Sequence, residues 1–181
     1  MATLTIELPE QEAQTPSNLR RWEELLADAE LAKVEGRIET DRHGHLLWSP
    51  VPAAWHGALQ AEIGCLLHAF MHDGHGITIC PISTADGVKA ADVAWASPER
   101  LRELGDRSLF PHAPEICVEA LSPSNTEAEI KEKMALYFDA GAQEVWLCAV
   151  DGAMSFWARG ATSASSHSFV CPAFPNRIEL R

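Results

Sequence analysis

Two acids in this sequence stand where strand patterning calls for apolar side chains. In the run GVKAADVAWAS, the two-residue period of a strand puts Val88, Ala90, Asp92, Ala94 and Ala96 on one face, so Asp92 stands in a row of small apolar groups. In PEICVEAL the same counting gathers Cys117, Glu119 and Leu121, and nothing in that run gives Glu119 a reason to face solvent. An ionised carboxylate is costly to bury unless a cation or several hydrogen-bond donors compensate it. Two such acids on successive strands make a divalent ion with oxygen ligands the economical explanation, and the chemistry on offer is that of a bound hard cation. The plainer alternative for Asp92 is a strand-end acid paired with an arginine or closing a turn.

Other elements must hold those strands in place. Residues 1–17, with the polar and proline-punctuated PEQEAQTPS, read as a weakly structured arm, and the folded domain then spans residues 18–181. NLRRWEELLADAE sets Trp22, Leu25, Leu26 and Ala29 at helical spacing behind an Asn18 or Ser17 cap. RIETDRHGHLLW predicts a hairpin about a His-Gly turn. After Pro52, the repeat of Leu59, Ile63, Leu66, Leu67 and Phe70 predicts an amphipathic helix ending at Gly74. GITIC, GVKAADVAWAS and PEICVEAL predict three strands of one sheet, with a polar connection from Ser97 to Pro114 before the last.

The next segment, SPSNTEAEIKEKMALYFDAG, is the best-marked helix: Ser124 and Glu127 fit a capping box, Ile130, Met134, Tyr137 and Phe138 form an apolar stripe, and Gly141 fits the position just past the end. EVWLCAV is an unbroken apolar strand suited to a sheet interior, DGAMSFWA its hairpin partner, and FPNRIEL closes the chain. This order predicts an α/β (α+β) fold, a single domain with a central mixed sheet flanked by helices.

Composition sets bounds. At 181 residues and 46% hydrophobic content the chain can bury one substantial core. No apolar run is long enough to span a bilayer and the N-terminus lacks the pattern of a secretory signal, which predicts a soluble cytoplasmic protein. Cys65, Cys80, Cys117, Cys148 and Cys171, an odd set with no CxxC pair, read as packing residues in a reducing compartment. The net charge of −12 is the wrong sign for a broad basic nucleic-acid surface. Any grip on phosphate must come from metal and a local patch, for which Arg20, Arg21, Arg37, Arg42, Arg100, Arg102 and Arg107 are available.

An acid on one strand and a glutamate on a later one resemble the metal centre of the PD-(D/E)xK nucleases, in which two acids and a main-chain carbonyl hold Mg²⁺ and a lysine helps activate the attacking water. That resemblance implies Asp92, Glu119 and the carbonyl of Ala120 as ligands for Mg²⁺ or Mn²⁺. The position that should hold the lysine is Leu121, and Ala91 replaces the proline before the first acid. The cation must then come from the following helix, as Lys131 or Lys133. Measured from the Ile130, Met134 and Tyr137 stripe at about 100° per residue, Lys133 lies somewhat nearer the buried face and is the one chosen.

The run PEICVEALSPSNTEAEIKEKMALYFDAGAQEVWLC, with VKAADVAWASPERL and RIETDRHGHLLWSPVPAAWHGALQ before it, resembles the bacterial Uma2 family of restriction-endonuclease-like proteins, from about Glu35 to the C-terminus. The resemblance implies the restriction-endonuclease-like fold and the same trio of Asp92, Glu119 and Lys133, with Glu39, His56 and Tyr137 in support. The expected activity is metal-dependent hydrolysis of DNA phosphodiester bonds, with a homo-oligomer, a dimer above all, as the expected assembly. The alternative is a catalytically silent nuclease fold serving as a binding or assembly module.

Two further patterns stand out in the sequence. His68, His72 and His75 have zinc-like spacing, yet they crowd a helix end with no nearby cysteine and only Asp73 as an acid, which favours a solvated helix terminus. Trp48 and Trp55, flanking the turn before His56, are the aromatics to test for substrate contact.

Overall fold

The structure, a computed structural model, describes residues 7–180. Helix α1 (Gln11–Ala27) begins well before Asn18, inside the segment read as an arm; residues 1–6 of that segment lie outside the described residues. Its N-cap is Glu10, not Ser17 or Asn18, and Pro16 sits within it. Long-range hydrogen bonds outweigh that proline. The Gln11 amide donates to the carbonyls of Ser83 (3.0 Å) and Pro111 (2.7 Å), and buried Asn18 donates to Ser83 Oγ, Thr84 O and Gly87 O. Sequence patterning counts apolar residues, so a helix docked by amides escapes it.

Strands β1 (Arg37–Thr40) and β2 (Leu46–Ser49) form the expected hairpin, and α2 (Ala54–Phe70) follows. Strands β3 (His75–Thr84) and β4 (Gly87–Ala96) make a long antiparallel ribbon. The stretch from Ser97 to Pro114 is not only a polar connection, because it contains α3 (Pro98–Leu104). Ser97 caps that helix by accepting from Arg100 N, and Pro98 occupies its first turn.

After β5 (Ile116–Ala120), helix α4 (Glu127–Asp139) crosses over to β6 (Glu144–Cys148), and β7 (Met154–Ala158) returns antiparallel. The capping box of α4 is Thr126 with Glu129, two residues later than Ser124 and Glu127. Residues 122–125 close a turn of their own first, with Asn125 N–H donating to Ser122 O and Ser122 N–H to Asn125 Oδ1.

The five-stranded sheet runs β3-β4-β5-β6-β7, with β5 and β6 parallel and every other pair antiparallel, so the sheet is mixed as expected. Alternate residues of β4 and β5 serve two cores. Val93, Trp95, Ile116 and Val118 pack with Leu59, Ile63 and Leu67 of α2, whereas Ala94, Ala96 and Cys117 pack with Ile130, Met134 and Tyr137 of α4. Phe174 and Ile178 of the closing segment plug the α2 core without forming a strand. Among the described residues no helix is long and apolar enough to cross a membrane.

One irregularity bears on the site. Ile79, in the middle of β3, has φ 51°, a left-handed conformation costly for a β-branched residue. The ladder pairs Thr78 with Val93 and Cys80 with Ala91, and the rung that would join Ile79 to Asp92 is missing. The single alternating face expected for Val88 through Ala96 is therefore broken at Asp92. Ala91 packs in the same cluster as Ala94 and Ala96, although its number is odd, while Val88 packs with Trp22, Leu25 and Leu109.

Candidate active site

Asp92 is the one residue of β4 with no ladder partner on either side, since pairing with β5 runs from Trp95 only as far as Val93↔Val118. Continuing that register would set Asp92 opposite Glu119, and opposite residues of an antiparallel pair share a face. The strands part there, and the Asp92 side chain takes the place of the missing rung: Ala120 N–H donates to its Oδ2 at 2.8 Å. Oδ2 also lies 3.4 Å from His56 Nε2, and Oδ1 accepts from Arg37 Nη1 and from Gln60 Nε2, both at 2.9 Å. Three hydrogen bonds and the His56 ring thus surround this buried carboxylate.

Glu119 is approached from α4. Its Oε1 accepts from Tyr137 OH at 2.7 Å and from Lys133 Nζ at 3.0 Å. Lys133 Nζ also lies 3.1 Å from Glu39 Oε1 and donates to Ala90 O at 3.3 Å. Lys131 instead pairs with Glu127 on the exposed side of the helix. Glu39 receives the N–H of Ala90 at 2.8 Å, so β1 is tied to β4 by a side chain where no ladder exists. The structure thus brings Asp92, Glu119, Lys133, Glu39, His56, Tyr137 and the Ala120 backbone into one cluster.

Each group's ionisation follows from its neighbours. Burial pushes the Asp92 carboxyl up, but the His56 hydrogen bond, the Arg37 charge and the Ala120 N–H outweigh it and leave it below its ordinary value. Glu39 is lowered likewise, with Lys133 and Arg37 overcoming burial. Glu119 goes the other way: burial raises it, Lys133 only partly offsets that, and the Asp92 charge adds to the rise. Burial alone would lower the Lys133 ammonium, yet Glu119 and Glu39 hold it above its ordinary value, so it remains a cation. Burial keeps Tyr137 protonated, as a donor.

The donor set, carboxylate and carbonyl oxygens with an excess of negative charge, is of the kind a hard divalent cation takes. Three carboxyls face two permanent cations, leaving an excess negative charge at full ionisation. Glu119 Oε2 accepts no hydrogen bond from the described residues. Among those residues no three His, Cys, Asp or Glu side chains are gathered to hold a metal ion. An ion resting on Asp92, Glu119 and a carbonyl would keep several waters, which suits Mg²⁺ better than a cation needing a full protein cage. A further buried acid, Glu144, differs in having only uncharged donors: Trp146 Nε1, Ser168 Oγ and Phe169 N.

Gln60 was not singled out from the sequence, and Arg37 only as one arginine among several. The available signals were the i,i+4 spacing of His56 and Gln60 on α2 and the period that puts Arg37 beside Glu39 on β1. Trp48 lies apart from this cluster. Its register partner is Ile38, which packs toward Trp22 and Leu25, so its exposed ring lies on the hairpin face opposite Arg37 and Glu39. Trp55 is half-buried and meets His56 edge-on at 5.7 Å, bracing that ring. His68, His72 and His75 are all exposed and belong to no metal cluster among the described residues. Cys80, Cys117, Cys148 and Cys171 are buried and unpaired as expected of packing residues, whereas Cys65 is exposed.

The family model Uma2, described as "putative restriction endonuclease", matches residues 22–166. A crystal structure described as a "putative nuclease" from Anabaena variabilis is similar in fold, with a TM-score of 0.61 and 18% identity over 74% of this chain and 79% of that one. No curated protein matches the sequence.

Proposed function

Because this chain belongs to the Uma2 family of restriction-endonuclease-like proteins, we propose that it is a metal-dependent endonuclease hydrolysing DNA phosphodiester bonds, with its active-site lysine moved to the following helix. The observation that carries this reading is the meeting of Asp92, Glu119 and Lys133 where β4 and β5 part, with one oxygen of Glu119 left free. Asp92, Glu119 and the Ala120 carbonyl would hold Mg²⁺ or Mn²⁺, which when bound supplies positive charge to the phosphorane and acidifies the attacking water.

The chain's own residues do the rest. Lys133, fixed by Glu119, Glu39 and Ala90 O, stays protonated and orients the attacking hydroxide as a donor rather than removing its proton. Tyr137 steadies Glu119, and His56 and Gln60 hold the Asp92 carboxylate in one orientation. A dimer would present two such sites to the two strands of a duplex, an assembly that sedimentation will test.

The rival reading, a silent nuclease fold, draws on the −12 charge and on the full set of donors around Asp92. The deciding experiment incubates labelled duplex and single-stranded DNA with Mg²⁺ or Mn²⁺, and separately titrates binding with Ca²⁺, which supports little cleavage. Wild type should cut in Mg²⁺ and gain DNA affinity in Ca²⁺; Asp92→Asn and Glu119→Gln should lose both responses while gaining slight metal-free affinity, a repulsive charge being gone. Wild type indifferent to both metals, or variants that respond as it does, would refute the reading.

A further inference from the structure

Four groups surround the Asp92 carboxylate, and they differ in how easily they can leave. Ala120 N–H is backbone, and Gln60 and His56 are buried on α2 with their side-chain nitrogens 3.1 Å apart. Arg37 is different. Its side chain is 25% exposed, against 4% for Asp92, and it reaches Oδ1 through Nη1 alone. That Nη1 has a second, long contact to Ala90 O at 3.5 Å, and Nε lies 4.0 Å from Glu39. Nε and Nη2 make no hydrogen bond with the described residues.

A guanidinium presents paired N–H groups in a rigid plane, and that fork matches two oxygens of a phosphate better than any other side chain does. Arg37 therefore meets the aspartate with one nitrogen and keeps the Nε–Nη2 edge, the part suited to a phosphate, free of hydrogen bonds to the described residues, with Glu39 near Nε at 4.0 Å. Oδ1 already accepts from both Nη1 and Gln60 Nε2, so a cation taking that oxygen would compete with them, and most directly with the like-charged, partly exposed guanidinium.

We propose that Arg37 is the residue that binds the substrate's phosphodiester group, and that a divalent cation arms it by taking its place on Asp92. This rests on the metal-nuclease reading above and adds a residue to it: with a cation held on Asp92, Nη1 would be released from Oδ1 and the whole guanidinium could turn to the phosphate. Such exchange explains how an acidic chain meets DNA, because one local cation becomes available only when the site is loaded. Arg37 is then a competitor of the metal and a partner of the DNA.

The test measures Ca²⁺ binding by calorimetry and binding of a labelled oligonucleotide duplex with and without Ca²⁺, on wild type, Arg37→Gln, Arg37→Met and Arg37→Lys. Loss of the competing charge should make the Gln and Met variants bind Ca²⁺ about fivefold or more tightly than wild type. Their gain in DNA affinity on adding Ca²⁺ should nonetheless fall below about threefold, where wild type gains about tenfold. Arg37→Lys, charged but without the fork, should bind Ca²⁺ as wild type does and show a reduced DNA gain; it also guards against misfolding of the neutral variants. A residue that merely held the site together would weaken both kinds of binding on removal. Neutral variants that bind Ca²⁺ no more tightly, or that keep the full DNA gain, overturn the role given to Arg37 and leave the metal-nuclease reading standing. A wild type that binds no Ca²⁺ overturns both.

Discussion

Replacing Lys133 by Met removes the cation shared by Glu119 Oε1 at 3.0 Å and Glu39 Oε1 at 3.1 Å, with little exposure on either side of the pair. Breaking a buried ion pair from one end costs about 3–5 kcal/mol, because the partner charge stays behind uncompensated. At roughly 2–4 °C per kcal/mol for a chain of this size, the melting temperature should fall by about 10 °C at pH 8. The pH dependence has a definite sign. Burial already raises the Glu119 carboxyl, and losing Lys133 removes the largest opposing influence, so its folded-state value climbs further above the unfolded one. Between those two values the folded protein binds more protons than the unfolded chain, and stability falls as pH rises. The Lys133→Met penalty should thus be fully expressed above the folded-state value and shrink as pH falls through it and the carboxyl takes up a proton. Urea melts of wild type, Lys133→Met, Glu119→Gln and the double variant at pH 8 and pH 5 measure this. The double variant should recover about 2 kcal/mol relative to additivity. A loss under about 1 kcal/mol, equal at both pH values and additive with Glu119→Gln, would refute the ion-pair account of the cluster.

Ile79→Gly should be neutral or stabilising by up to about 1 kcal/mol in thermal melts, although glycine inside a strand normally costs about 0.5–1 kcal/mol, because φ 51° is free of penalty only without a Cβ. A loss above 1 kcal/mol would show that the Ile79 side chain matters more than its backbone. Thr126→Ala removes the capping box of the helix that carries Lys133 and Tyr137, and should cost about 1 kcal/mol in the same melts. Ser124→Ala should cost much less; if the two are equal, the cap lies where the sequence alone suggested.

Much of this architecture is legible in the sequence because its determinants are local. The stripe of Ile130, Met134 and Tyr137 requires a helix, and its periodicity puts Lys133 nearer the sheet than Lys131, which is where the structure has it. The acids betray themselves because a carboxylate among apolar strand residues demands a partner. Elements whose stability comes from distant polar groups are the hardest to read: α1 begins early because Gln11 and Asn18 find carbonyls 66 to 100 residues away. The short α3, by contrast, carried its Ser-Pro-Glu signal in plain view.

What tertiary structure alone decided is how the site closes. Strict alternation would run Asp92 along one flat face, but a left-handed residue on the neighbouring strand and the early end of the β5 ladder free it from both partners. Its carboxylate can then gather Arg37 from β1, Gln60 and His56 from α2 and an N–H from β5. The types of those residues are written in the chain, and so are their places on strand and helix. That they converge on one carboxylate depends on contacts between elements far apart in sequence, which periodicity, being a property of neighbours, does not encode.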